Sequence, residues 1–134
     1  MSQRPLSPHL GVYKFMYTMS LSILHRITGC AAAAGFLLFA WWLMALASGP
    51  AAYAAAMHSL GSPFAKLLLV GFTFSFVYHF CNGIRHLVWD TGRGLERAHA
   101  RRSGAAVIIA ALLLTAVVVW LGCRAMGFSV PGAG

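Results

Sequence analysis

Carboxylates are nearly missing from this chain: Asp90 and Glu96 are the only two in 134 residues, against ten Lys and Arg. Neither falls inside a long apolar run, which counts against a proton-coupled transporter, because such proteins usually carry an acidic residue at mid-membrane depth. Charge of either sign is scarce, at 9% of residues, far below the roughly 25% of a soluble domain. A catalytic site built wholly in water is therefore not expected. Cysteine is limited to Cys30, Cys81 and Cys123, all in apolar runs. With no C-x-x-C and no C-x-x-C-H, nothing marks covalent haem attachment, and the thiols read as buried, unpaired small hydrophobes.

Hydrophobic residues are plentiful, at 60% of the chain. Three stretches, Ile27–Ser48, Leu67–Ile84 and Ala105–Cys123, contain no Lys, Arg, Asp or Glu. Each reaches the roughly 18 residues that suggest a spanning helix. The sequence thus predicts an all-α membrane protein with three transmembrane helices, approximately 21–48, 63–90 and 104–126. Residues 1–20 form an N-terminal segment, broken by Pro5 and Pro8. Residues 49–62 and 91–103 read as loops, and residues 127–134 as a short tail.

The net charge of +8 raises nucleic acid as a partner, but the basic residues flank the apolar runs, so the bilayer is the expected partner and nucleic acid is not. The first loop has no charge, whereas the N-terminal segment and the second loop, with Arg93, Arg97, Arg101 and Arg102, are basic. The N-terminus and second loop are therefore expected on the cytoplasmic side of the membrane, in a multi-pass chain. The first apolar run is too long, and too far into the chain, for a signal peptide. No Arg- and Ser-rich leader is visible, so the chain is expected to start as it is translated.

The chemistry-bearing stretch runs from Tyr78 to Asp90. An ionisable residue at membrane depth is costly, which makes His79 a candidate for function. On a helix Ser75, His79, Gly83, His86 and Asp90 share one face. A neutral imidazole is a good iron ligand, although a hydrogen bond to a neighbouring helix would also explain His79. Ser22 and Arg26, four apart near the start of the first span, also share a face. Taking Arg26 and Arg85 as markers of equal depth puts Ser22, His25, Arg26, His86 and Asp90 in a polar cluster at the cytoplasmic edge. His79 then lies roughly two turns deeper. His25 and His79 so offset do not easily ligate one iron, and a second axial ligand has to come from another chain. Arg26, with His25 or His86, suits haem propionates at that edge. Ser22 and Arg26 also suit the carbonyls of a quinone, with Asp90 or a histidine as a proton source. Alternatively Arg26 and Arg85 are topology markers and Ser22 a helix cap.

Three motifs now stand together. Ser22-Ile23-Leu24-His25-Arg26-Ile27-Thr28-Gly29 resembles the S-x-x-H-R-x-S/T-G signature of the cytochrome b556 subunit family of succinate dehydrogenase. The run from His79 to Asp90 resembles that family's H-x-x-x-G-x-R-H-x-x-x-D, and the run from Arg4 to Leu10 its R-P-x-S-P-H-L opening. The resemblance implies an anchor subunit of a bacterial inner membrane, part of a heteromeric helical bundle, in which His79 is the axial ligand of haem b, shared with a second membrane-anchor subunit. It places Ser22 and Arg26 at the ubiquinone site, and His25 and Arg26 near the haem propionates. His86 and Asp90 match motif positions without a firm role beyond a possible proton or polar one. An iron–sulfur subunit and a flavoprotein subunit are implied as partners, because this chain shows neither an FAD-binding motif nor iron–sulfur ligands. The basic second loop and the N-terminal segment are candidates for docking the iron–sulfur subunit. The anchor of a quinol–fumarate reductase, and a small transporter or structural membrane protein without cofactor, remain as alternatives.

Overall fold

The computed structural model describes residues 17–125. They form four α-helices: α1 (Tyr17–Ala47), α2 (Pro50–Leu60), α3 (Pro63–Asp90) and α4 (Arg97–Ala125). Helices α1, α3 and α4 are long and apolar enough to cross a membrane. The described residues are thus all-α, with three spans. The first 16 residues, including the Arg4–Leu10 motif, and the tail from residue 126 lie outside the described part.

Helix α3 is the central element, and α1 and α4 pack on it. Its buried residues Ser75, Tyr78, Asn82 and Arg85 are spaced 3, 4 and 3 apart, which places them on one side of the helix. Small side chains answer them on α4, whose buried residues are Ala100, Gly104, Ala111 and Thr115. This is the economy of membrane bundles: lipid removes the hydrophobic drive for helices to associate, so close backbone approach and interhelical hydrogen bonds take over. The fully buried Tyr78 hydroxyl donates to the Leu21 carbonyl on α1 at 3.3 Å. Helices α1 and α4 touch where Gly104 faces Leu21 and Tyr17, and a Cβ at residue 104 would collide with Leu21 Cδ1. The outward faces are apolar, with Leu37, Leu67 and Leu113 well exposed, as a lipid-facing surface requires.

Three features differ from the expectation. The first loop contains α2. Pro50 sits at the first helical position after Gly49, whose φ is +106°. The alanine-rich sequence that follows has the highest helix propensity available. At 11 residues α2 is too short to span, and it packs back against α1 and α3, with Tyr53 edge-on to Trp42. Second, α4 begins at Arg97 rather than 104, which shortens the second connection to a turn with positive φ at Gly92 and Gly94. Third, the free cysteines are not buried within the chain: Cys30 is exposed, and Cys81 and Cys123 are half-buried.

Candidate functional site

His25 on α1 and His79 and His86 on α3 converge at the end of the bundle where α1 starts and α3 finishes. The imidazoles of His25 and His79 stack with centroids 4.0 Å apart and planes within 8°. His86 tilts against the other side of the cluster, 5.1 Å from His25. Its own ring meets the edge of Trp89 at 5.2 Å. Thus four rings, His79, His25, His86 and Trp89, form a continuous column along the α1–α3 seam.

The stacking corrects the depth argument: His79 is not two turns below His25 but beside it. Two features set this register. Gly29 leaves a notch that the His79 ring fills, since a Cβ there would sit 2.9 Å from His79 Cε1. From that notch His79 Nδ1 reaches the His25 carbonyl at 3.1 Å. His25 also lies 5.1 Å from His86, so its ring sits between the two α3 imidazoles rather than level with His86 alone. That His25 and His79 do not share a metal still follows, for another reason. A metal between two imidazoles lies in both ring planes, whereas these rings face each other side by side.

A carbonyl oxygen can only accept, so the contact with His25 O puts a proton on His79 Nδ1, and in the neutral ring the lone pair is then on Nε2. Thr28 braces the same carbonyl, its hydroxyl donating to His25 O at 3.0 Å and Leu24 O at 2.8 Å. His25 Nδ1 is shielded and has no hydrogen-bond partner among the described residues. Among those residues, no group of three or more His, Cys, Asp or Glu is arranged to hold a metal alone.

The structure does not bring Ser22, Arg26 or Asp90 into this ring contact. Ser22 is half-buried in the second turn of α1, which rules out the helix-cap reading, because α1 already starts at Tyr17. Arg26 is exposed one turn on, and Asp90 is exposed at the last position of α3; neither forms an ion pair among the described residues. Arg26 therefore offers an uncommitted guanidinium on the outer face of α1, next to the imidazole column.

Sequence reasoning missed the neighbours of Arg85. Its Nε donates to Ser103 Oγ at 2.9 Å, its two terminal nitrogens to Asn82 Oδ1 at 3.2 Å and the Ala100 carbonyl at 2.9 Å. The guanidinium lies 3.8 Å from the centre of the Trp89 ring, whose N–H donates to the Gly94 carbonyl at 3.2 Å. The 78–82–85 spacing on one side of α3 was the available signal.

Beyond His79 an apolar groove of about 640 Å³ continues along the same seam, lined by Ala32, Gly35, Phe36, Phe72 and Phe76 among others. The Phe72 ring packs over Gly35. None of the three histidines lines this open groove, whose nearest lining residues in sequence to His79 are Phe76 and Val77.

Comparison with known proteins adds to the geometry. The sequence model of the succinate dehydrogenase/fumarate reductase transmembrane subunit matches residues 1–118. The succinate dehydrogenase cytochrome b556 subunit of Paracoccus denitrificans is 40% identical over 116 residues, covering 87% of this chain and 89% of that protein. That of Rickettsia prowazekii is 39% identical over 120 residues, covering 90% and 93%. The mitochondrial cytochrome b560 subunit of Sus scrofa is 39% identical over 114 residues, covering 84% and 68%.

Proposed function

The chain belongs to the succinate dehydrogenase/fumarate reductase transmembrane subunit family, and from that membership we propose that it anchors a succinate dehydrogenase and helps bind one haem b and one ubiquinone. Electrons arrive from an iron–sulfur subunit, itself fed by a flavoprotein that oxidises succinate. This chain performs no succinate chemistry. The start of α1 and the α3–α4 turn face the cytoplasm of a bacterial cell.

The haem assignment rests on the family membership together with the hydrogen bond from His79 Nδ1–H to the His25 carbonyl, which is also the interhelical contact that would explain His79 without a ligand. Histidines that ligate metals almost always donate their other N–H to such an acceptor, which fixes the ring and raises its basicity. His79 is therefore supplied with a proton on Nδ1 and, in the neutral ring, a lone pair on Nε2, and these residues fit a haem. When bound, haem b supplies a one-electron couple. His79 would hold the haem iron from this chain, and the second anchor subunit would supply a further ligand. Arg26, exposed and without an ion pair among the described residues, would pair with a propionate, and His25 beside it would have to use its other ring nitrogen, because its Nδ1 is enclosed. Ser22 and Arg26 donate to the quinone carbonyls on the outer face of α1, while Asp90 and His86 give a polar route to water at the end of α3.

The direct test is to purify the chain with whatever copurifies and record a reduced-minus-oxidised absorption spectrum. A b-type haem signal with flavin- and iron–sulfur-bearing partners is expected. An intact complex without haem would remove the ligand role from His79 and leave only the quinone site.

The notch at Gly29 gives a second test. Gly29→Ala places a Cβ 2.9 Å from His79 Cε1, closer than real contacts allow. The His79 ring has to move and loses its alignment with the His25 carbonyl. The expected result is a shifted or partly lost haem spectrum in a complex that still assembles, read by absorption alongside subunit content. A normal spectrum would show that this notch does not position the ring.

A further inference from the structure

We propose that Arg85 is an uncompensated buried positive charge that biases the nearby imidazole site toward accepting an electron. This rests on the haem reading of His79. Each of the three hydrogen bonds from the guanidinium ends on a neutral acceptor: a hydroxyl, an amide oxygen and a backbone carbonyl. No carboxylate lies within ion-pairing distance among the described residues. Asp90 is exposed at the end of α3, and Glu96 is exposed and paired with His99 at 3.2 Å. Arginine does not shed its proton inside a protein, so the charge is permanent.

A strut between α3 and α4 does not need that charge. Burying an ion costs several kcal/mol, and apolar or neutral replacements of similar shape often cost less. The surroundings add no hidden negative group: the remaining buried polar atom beside Arg85 is Asn82 Nδ2, a donor without a partner. At 7% exposure Arg85 is also poorly screened by salt, unlike the exposed Arg93, Arg97, Arg101 and Arg102. It lies on the same helix as His79, six residues on and roughly 9 Å along the axis. Trp89 stacks on Arg85 and meets His86 edge-on, and His86 tilts against His25, which stacks on His79. When one electron enters the ferric haem from a reductant, no bond forms or breaks and the site's net charge falls by one. A fixed cation at this range lowers the energy of that state and raises the reduction potential.

The experiment is a redox titration of the haem in the assembled complex, followed by absorption. Arg85→Gln keeps a hydrogen-bonding side chain and deletes the charge; a lower midpoint potential is expected, with haem content retained. Arg85→Lys keeps the charge and loses the fork; a potential near wild type is expected. Should Arg85→Gln fail to assemble, Ser103→Asp decides. It puts a carboxylate where Ser103 Oγ now accepts from Arg85 Nε at 2.9 Å, cancelling the charge with the bond preserved. The same downward shift is expected there, and none from Ser103→Asn. An unmoved potential in Ser103→Asp, or a drop in Arg85→Lys as large as in Arg85→Gln, would overturn the proposal and leave Arg85 a structural clamp. A wild-type complex without haem is a different failure, that of the His79 assignment.

Discussion

Replacing His79 by alanine is expected to abolish the b-type haem spectrum or shift it strongly, because on the proposed reading the substitution removes the ligand that this chain gives to the haem. His25, the nearest imidazole, faces the His79 ring in a stack at 4.0 Å and does not share its plane, so it cannot take over ligation without a rearrangement of the seam. The alanine also removes the hydrogen bond to the His25 carbonyl and opens a space against Gly29. Losing one such bond costs about 1 kcal/mol, which a helical bundle can absorb without falling apart. His79→Asn separates the two effects, since its amide nitrogen stands where Nδ1 does and can still donate to the carbonyl, but the side chain is a poor haem ligand. Both variants should lose the haem signal while the flavoprotein and iron–sulfur subunits remain attached. An unchanged spectrum in either would end the assignment, and loss of the partners in alanine but not asparagine would mean that the seam, not the ligand, was what mattered.

The parts of this molecule that were readable from sequence are those where a residue type conflicts with its surroundings. Three charge-free runs in a chain with two acids leave little choice but spanning helices, and α1, α3 and α4 fall where those runs predict. His79 stood out because an imidazole in an apolar run has to be explained, and the structure indeed gives it a specific partner. Register was not readable. Lining up Arg26 with Arg85 leaves His79 two turns from His25, whereas the His25 ring sits between those of His79 and His86 and meets both. The setting of Arg85 is equally hidden, because two of its three acceptors, Ser103 and the Ala100 carbonyl, belong to a charged stretch that reads as a loop and is helical from Arg97. The same kind of error hid α2: an uncharged segment bounded by Gly49 and Gly61 looks like a loop, although its alanines favour a helix.

Arg26→Ala is expected to lower quinone reduction far more than succinate oxidation by an artificial acceptor. Arg26 is exposed on α1, uncommitted to any ion pair among the described residues, and shares a face with the half-buried Ser22. It is thus free to donate to a ligand that arrives from the bilayer beside the imidazole column. A hydrogen bond from a charged group contributes about 1.5–3 kcal/mol, so the quinone-dependent kcat/KM should fall roughly 10- to 100-fold, at about 1.4 kcal/mol per tenfold. Electron delivery upstream of the quinone does not pass through Arg26, so the artificial-acceptor rate should stay near wild type. Arg26→Lys keeps the charge but not the planar fork and should fall between the two. Because Arg26 also stands near the proposed propionates, the haem spectrum of Arg26→Ala must be recorded in the same preparation. A quinone defect with a normal spectrum assigns Arg26 to the quinone, and a shifted spectrum with normal quinone kinetics assigns it to the haem alone. Equal losses in both rate assays would mean an assembly defect and remove Arg26 from the site, leaving Ser22 without the partner that makes a quinone pocket plausible on that face of α1.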